Sequence, residues 1–310
     1  MPPFDQSAPA APAESAESLA GRPAGTPEAG RRRSRWAALA LIGVTAVWGS
    51  TFVLFKGPLT RMPAADFLAL RFWIAAIALM VISPRSSLRI TARHWRLGLP
   101  LGLAYGAGQV LQAVGLARAS AVVSGFLTGA YVVLTPLLAA VLLRRRVPAS
   151  VWFAVALATA GLALISLRGL SIGTGEALTL ASTVLYALHI LGLGAWSRPG
   201  EAHQLAITQM IWVAVVCTAA ALPGGLSLPG RPSDWIVLIY MALAGAALAL
   251  TVQTWAQARL APTRAAVIMT TEPVWAGVFA VTIGGEALTW RLLTGGAVVL
   301  AAMYVAELRR

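Results

Sequence analysis

Residues Gln112-Ala113-Val114-Gly115-Leu116-Ala117-Arg118 return 141 positions later as Gln253-Thr254-Trp255-Ala256-Gln257-Ala258-Arg259. Little beyond the amide and the closing arginine is kept, yet the apolar runs that follow each copy stay in step without a gap to the C-terminus. An Ala-, Leu- and Val-rich chain matches itself often by chance, so the weight rests on the shared register of hydropathy, loops and terminal charges. Each copy lies in a block of five membrane-length apolar segments. An odd number of crossings turns the second block upside down in the bilayer. Inverted repeats of this kind build many secondary transporters, with the substrate site at the repeat interface near the midplane.

The composition agrees. Hydrophobic residues make up 58% of the chain and charged residues 11%, and the mean hydropathy is +0.76. A soluble fold of 310 residues needs far more polar surface. The formal charge of +13 raises the question of nucleic acid, but the basic residues fall between apolar segments and form no binding face. Arginines in such places anchor helix ends to cytoplasmic headgroups. The lone cysteine, Cys217, permits no intramolecular disulfide and no multi-cysteine metal site; no cofactor or metal is expected. Residues 1–35, rich in Pro, Ala, Ser and Glu, read as a disordered cytoplasmic tail. A cleaved signal peptide is not expected, because Arg31, Arg32, Arg33 and Arg35 come late and a full-length apolar span follows them.

A helix needs about 20 apolar residues to cross about 30 Å of hydrocarbon. Ten stretches qualify: 36–55, 64–83, 97–116, 119–143, 149–167, 175–195, 203–222, 234–255, 262–284 and 289–307. The expected fold is therefore an all-α integral membrane protein of ten transmembrane helices, arranged as two inverted five-helix repeats over 36–168 and 171–308. With the N-terminus inside, 17 basic residues fall in cytoplasmic segments and 6 in outer ones, Arg71 lying within a span. That bias predicts a multi-pass protein of the cell (inner) membrane with both termini cytoplasmic. Gly98, Gly102 and Gly106 recur on one helix face, as do Gly125 and Gly129. Such stripes serve either packing within the bundle or a homodimer face.

Several motifs point to a family. The first span ends in Trp48-Gly49-Ser50-Thr51-Phe52-Val53-Leu54-Phe55-Lys56, the second carries Phe67-Leu68-Ala69-Leu70-Arg71-Phe72, and the ninth holds Glu272-Pro273 with Gly285-Glu286 at its end. In this order and spacing, residues 36–308 resemble the EamA family of the drug/metabolite transporter superfamily. The first repeat departs from the pattern: Thr135 precedes Pro136, and Arg144-Arg145-Arg146 stands where Gly-Glu often does. The resemblance implies a central cavity and transport without nucleotide hydrolysis. The expected function is secondary active transport of small metabolites, amino acids or drug-like solutes by alternating access, outward rather than inward. The rival readings are a membrane-embedded enzyme and a channel or non-transporting receptor. Against the enzyme, the chain has no GxSxG, HExxH or GxxxxGK[ST] motif; against the channel, no ring of charges is visible.

Ionisable groups inside spans are costly, so each is a candidate for function. Glu272 lies eight residues beyond Arg264, about 12 Å along a helix and close to mid-bilayer. It could bind a cationic group or accept a coupling proton; alternatively it is a neutral acid that fixes helix packing. Pro273 removes a backbone donor and kinks the helix, and Pro136 is the candidate hinge in the first repeat. The ungapped register does not pair the two prolines; it pairs Tyr131 with Glu272. Arg71 either contacts an anion or snorkels toward Asp66 or a headgroup. Lys56 either contacts solute or anchors a span at the interface. Gln112 and Gln253 occupy matching positions and either bind solute or glue helices together. Trp48, Tyr131, Tyr186 and His189 are candidate cavity linings, against the plainer reading of core packing.

Overall fold

The computed structural model describes residues 27–142, 149–166 and 173–308, and among them there is no strand. Helices α1 (Pro27–Leu59), α2 (Ala64–Ile82) and α3 (Ala92–Leu116) open the chain. Next come α4 (Ala121–Leu142, interrupted at Gly129 and Ala130) and α5 (Ala149–Ser166). The second half repeats the series as α6 (Thr174–Trp196), α7 (Ala202–Ala221), α8 (Pro232–Gln257), α9 (Pro262–Thr282, interrupted at Thr270) and α10 (Trp290–Leu308). Among the described residues, seven of these are long and apolar enough to cross a membrane: α1, α2, α4, α6, α7, α8 and α9. In α3 five glycines and two glutamines dilute the hydropathy. In α5 and α10 the described apolar stretches are the shorter Trp152–Gly161 and Leu293–Ala302.

Helix α1 begins at Pro27, earlier than a disordered tail ending at residue 35 allows. Pro suits a helix start, and the Glu-, Ala- and Arg-rich sequence after it favours continuation. The rest of the expected tail, 1–26, lies outside the described residues. At this end Arg264 Nη1 donates to Ser34 Oγ at 3.0 Å, joining α9 to the beginning of α1.

The helices pack as a two-fold arrangement requires. Helices at equivalent repeat positions meet directly: α2 with α7, α4 with α9, and α5 with α10. Other contacts come in exchanged pairs, among them α3 with α6 and α8 with α1, α1 with α9 and α6 with α4, and α3 with α7 and α8 with α2. Glycines permit the close approaches. A Cβ on Gly98 would lie 2.6 Å from Thr208 Oγ1, and one on Gly102 would be 2.8 Å from the Gln209 carbonyl oxygen and would strike Trp212 Cβ. One on Gly125 would lie 2.6 Å from Ala276 Cβ. Both stripes thus face neighbouring helices of the same chain, α7 and α9, which removes them as a homodimer face.

The two interrupted helices break at matching places. In α4 the break at Gly129 and Ala130 is bridged by tight turns, with Val132 N donating to Gly129 O at 3.1 Å. In α9 it falls at Thr270, 141 residues after Gly129. The hinge expected at Pro136 is therefore displaced: Pro136 lies inside the helical stretch Tyr131–Leu142, and the break precedes it. The register of the repeat holds across these breaks without the gap that pairing the prolines would need. Gly129 and Pro273 meet where the helices cross, a Cβ on Gly129 lying 2.6 Å from Pro273 Cγ.

Candidate central cavity

Seven of the eight binding candidates line one cavity set between the two halves. Trp48, Arg71, Gln112 and Tyr131 come from the first repeat, and His189, Gln253 and Glu272 from the second. Lys56 is the exception and does not line it. On α1 the cavity face is Trp48, Thr51, Phe52 and Phe55, an i, i+3, i+4, i+7 stripe, and Lys56 sits about 100° round the helix from Phe55. Half-buried at the last turn of α1, it keeps the anchoring reading.

Arg71 does not snorkel. It is 3% exposed. Its Nε donates to the Met241 carbonyl at 3.1 Å, Nη2 to the Gly245 carbonyl at 3.1 Å and Nη1 to Gln109 Oε1 at 3.2 Å. The Gly245 carbonyl is available because Leu243–Leu248 of α8 is π-helical, a winding that disturbs the ordinary ladder; Met241 lies just before that segment. Trp48 Nε1 donates to the same Gly245 oxygen at 2.9 Å. Asp66, the expected partner of Arg71, instead accepts from Ser227 N at 3.0 Å and from Ser227 Oγ. Among the described residues no carboxylate lies within ion-pair distance of Arg71.

From Arg71 a directed chain of hydrogen bonds runs along the wall. Gln109 Nε2 donates to Tyr186 Oη at 2.9 Å, which donates to Gln112 Oε1 at 2.9 Å. Gln112 Nε2 donates to Thr128 Oγ1 at 2.8 Å, which donates to the Ser124 carbonyl at 2.8 Å. Gln112 thus does join helices, the plainer of its two readings, and Gln109 does the same, while both also face the cavity. His189 is likewise satisfied by a neighbour, with Nε2 2.9 Å from Gln209 Oε1, and it stacks on Tyr105 at 4.8 Å between centroids. Tyr105 went unnoticed in the sequence, although Tyr105, Gln109, Gln112 and Leu116 form a polar-edged stripe at helical spacing on α3.

On the far wall, Tyr131 and Glu272 meet: Tyr131 Oη lies 3.3 Å from Glu272 Oε2 and donates to the Met269 carbonyl at 2.6 Å. Pro273 explains that carbonyl, because a proline removes the N–H that would bond the residue four before it. The register pairs Tyr131 with Glu272 because equivalent positions near a two-fold axis face each other across it. Gln253 is 2% exposed; among the described residues its Nε2 reaches only the Met269 sulfur at 3.6 Å, and its Oε1 has no partner.

The remaining motif residues hold the frame. A Cβ on Gly49 would lie 2.5 Å from Trp275 Cβ, so α1 and α9 touch there, and Ser50 Oγ lies 2.9 Å from Tyr240 Oη. Gly285 has φ +68°, a conformation that favours glycine. The turn brings Glu286 Oε1 to accept from Ala121 N at 3.2 Å, while Ser120 Oγ accepts from Val123 N at 3.1 Å. Together they cap the first turn of α4.

A bundle of long apolar helices around a buried polar cavity, built from two related halves, defines a multi-pass membrane protein with room for a small solute. The EamA-like transporter family matches residues 35–167 and 173–307, one match per repeat. The chain belongs to that family and is a membrane transporter. It is similar to an uncharacterized transporter from Archaeoglobus fulgidus, 27% identical over 275 residues that cover 88% of this chain and 86% of the relative. A solved crystal structure of a protein shares the fold with a TM-score of 0.70 at 19% identity, covering 88% of this chain and 96% of that one.

Proposed function

We propose that the protein is a secondary active transporter that crosses the cell membrane ten times, as two inverted five-helix repeats with both termini cytoplasmic, and exports small solutes by alternating access. The observation that carries this reading is the cavity between the repeats, where Arg71 and Glu272 are buried and, among the described residues, neither has an ion-pair partner. Buried charge in a membrane bundle is retained where a pathway uses it. The self-paired helices α2 with α7, α4 with α9 and α5 with α10 support the inverted repeat. The cavity extends along α1 and α3 to Phe55 and Leu116, near the α1–α2 and α3–α4 connections. At its other end His189, Gln209 and Thr254 tie α6, α7 and α8 together through bonds of 2.9 and 3.0 Å. In the orientation set by the basic residues, this is the outward-facing member of the cycle. Glu272 is the proposed acceptor of a coupling proton. Its only hydrogen-bond partner among the described residues is a tyrosine hydroxyl whose single hydrogen is shared with Met269.

The test is a solute-array counterflow assay in proteoliposomes, run with and without an imposed pH gradient. Saturable counterflow of an unaltered solute is expected, accelerated by the gradient in the wild-type protein and insensitive to it in Glu272→Gln. Chemical alteration of the solute, or flux without saturation, would return the enzyme or the channel. Normal gradient dependence in Glu272→Gln would remove the coupling role while leaving transport intact.

A further inference from the structure

We propose that the groove between α9 and α10 seats one acyl chain of a membrane phospholipid, at a site separate from the central cavity. The groove measures about 370 Å³, where an apolar cavity of about 150 Å³ already admits benzene. Phe126 of α4 lies at its base. Helix α9 lines it with Val274, Gly277, Val278 and Val281, an i, i+3, i+4, i+7 face. Leu293, Gly296, Ala297 and Leu300 of α10 repeat that spacing on the other side. No described residue lines both the groove and the central cavity. Between the two, α4 and α9 close up, a Cβ on Gly125 falling 2.6 Å from Ala276 Cβ.

Two features keep the groove open. Helix α10 is drawn to α5, where Gly161 lets the helices close until a Cβ there would lie 2.8 Å from the Gly295 carbonyl oxygen. The seam with α9 is left to residues too small to fill it, and a Cβ on Gly296 meets no atom of the described residues within 4 Å. The first repeat does not carry these glycines. The positions 141 residues before Gly277 and Gly296 are Pro136 and Val155, and both are buried. The groove is thus a property of the second half of this sequence rather than of the repeat fold.

Chemistry and dimensions select the occupant. Among the described residues that line the groove only Thr282 has a polar side chain, and its hydroxyl already donates to the Val278 carbonyl at 2.8 Å. A polar solute finds no partner there. From Val274 to Thr282 the groove runs about 12 Å at 1.5 Å per residue, against about 15 Å for one leaflet of the hydrocarbon core. It ends beside the α9–α10 connection, where Trp290, 65% exposed, stands one turn before Leu293 on the same face of α10. Tryptophans in such places sit at headgroup level. A second copy would approach as a helix about 10–12 Å across and rest on the exposed rim residues Val278 and Leu293, leaving the groove unfilled; a methylene chain fits along it. Lipid tails are as apolar as this wall, so the gain is not release from water. It is van der Waals contact along a surface that otherwise borders a void. Val274 is two residues past Glu272, so the chain lies on the side of α9 away from that carboxyl and braces the broken helix from behind.

The test is photolabelling of the full-length protein in nanodiscs that contain phosphatidylcholine with a diazirine midway along one straight acyl chain. Labelled residues are mapped by mass spectrometry and compared with Ile236 and Ile239 of α8, which are 71% and 45% exposed. Labelling per residue over 274–282 and 293–300 is expected to exceed that at the two isoleucines by about tenfold, and to saturate as the probe is increased. Gly296→Leu, which fills the groove, should reduce it to the α8 level. Gly43→Leu, whose Cβ also meets no described atom within 4 Å, should leave it unchanged. Where Gly296→Leu fails to fold, Ala297→Phe closes the groove from the next, exposed position and is read in the same way. Labelling that merely follows exposure overturns the proposal, as does groove labelling that persists in a Gly296→Leu protein melting like the wild type. A dimer that Gly296→Leu splits, with the groove unlabelled, gives the site to a second copy and overturns it too. None of these outcomes depends on which solute the central cavity carries.

Discussion

Single atoms decide much of this molecule. Tyr131 Oη fills the carbonyl that Pro273 leaves open and faces Glu272 at the same time. Removing that hydroxyl in Tyr131→Phe leaves Met269 O without its donor and is expected to cost about 1 kcal/mol of stability, read as a lower melting midpoint in detergent. Gly285→Ala forces a Cβ into a positive-φ turn at a cost of about 1–2 kcal/mol, with a matching loss of melting temperature. The same change at Gly296, where no atom of the described residues lies within 4 Å of the new Cβ, is the control. His94, just before the expected third span, has its pKa held below the usual histidine value by burial, against the opposing pull of Glu201. The folded state therefore resists a proton that the unfolded chain accepts. Stability is full above the ordinary histidine range and falls as pH drops through it. Thermal midpoints measured at pH 7.5 and about pH 5.5, near the unperturbed histidine pKa, should differ less in His94→Gln than in the wild type.

At the scale of elements, the broken and irregular helices carry the consequences. Helix α8 departs from α-winding at Leu243–Leu248, where the Gly245 carbonyl holds both Arg71 and Trp48. Helices α4 and α9 break at equivalent places and cross there. Straight, uniformly wound helices would offer no free carbonyls to these side chains. The packing of α3 on α7 is equally specific. Gly102→Val places new atoms against Trp212 and the Gln209 carbonyl, which belong to backbone and inner side chain and cannot swing away. Overpacking of this kind costs about 1–3 kcal/mol, and the variant should melt lower and accumulate less than Gly43→Val, whose Cβ meets open space.

For the whole molecule, the prediction concerns sidedness. The single native cysteine, Cys217, is buried, so introduced cysteines report with little background. Leu226 and Leu88 are 54% and 87% exposed and belong to opposite ends of the proposed bundle. Leu226→Cys should react with an impermeant thiol reagent applied to intact cells, and Leu88→Cys only after permeabilisation. Labelling of both from the same side would contradict the ten-crossing topology. The ends are also tied across the repeats, by Arg61 with Asp234 at one and by Arg93 with Glu201 at 2.6 Å at the other.

Hydropathy, loop spacing and the 141-residue register made the membrane class, the two repeats and most cavity candidates readable, because each follows from the local solvent a segment must face. Glu272, Gln112 and Gln253 were visible as polar groups in apolar runs, and the register paired Tyr131 with Glu272 without revealing that the two side chains touch. What local pattern could not supply was partner identity. Arg71 turns inward because a π-helical segment from the other repeat offers carbonyls, Lys56 drops out through its angle on α1, and the α4 break precedes Pro136 because Gly129 meets Pro273. Each outcome depends on atoms brought together from distant parts of the chain, and only the packed bundle determines which buried polar groups are satisfied and which are left for a solute.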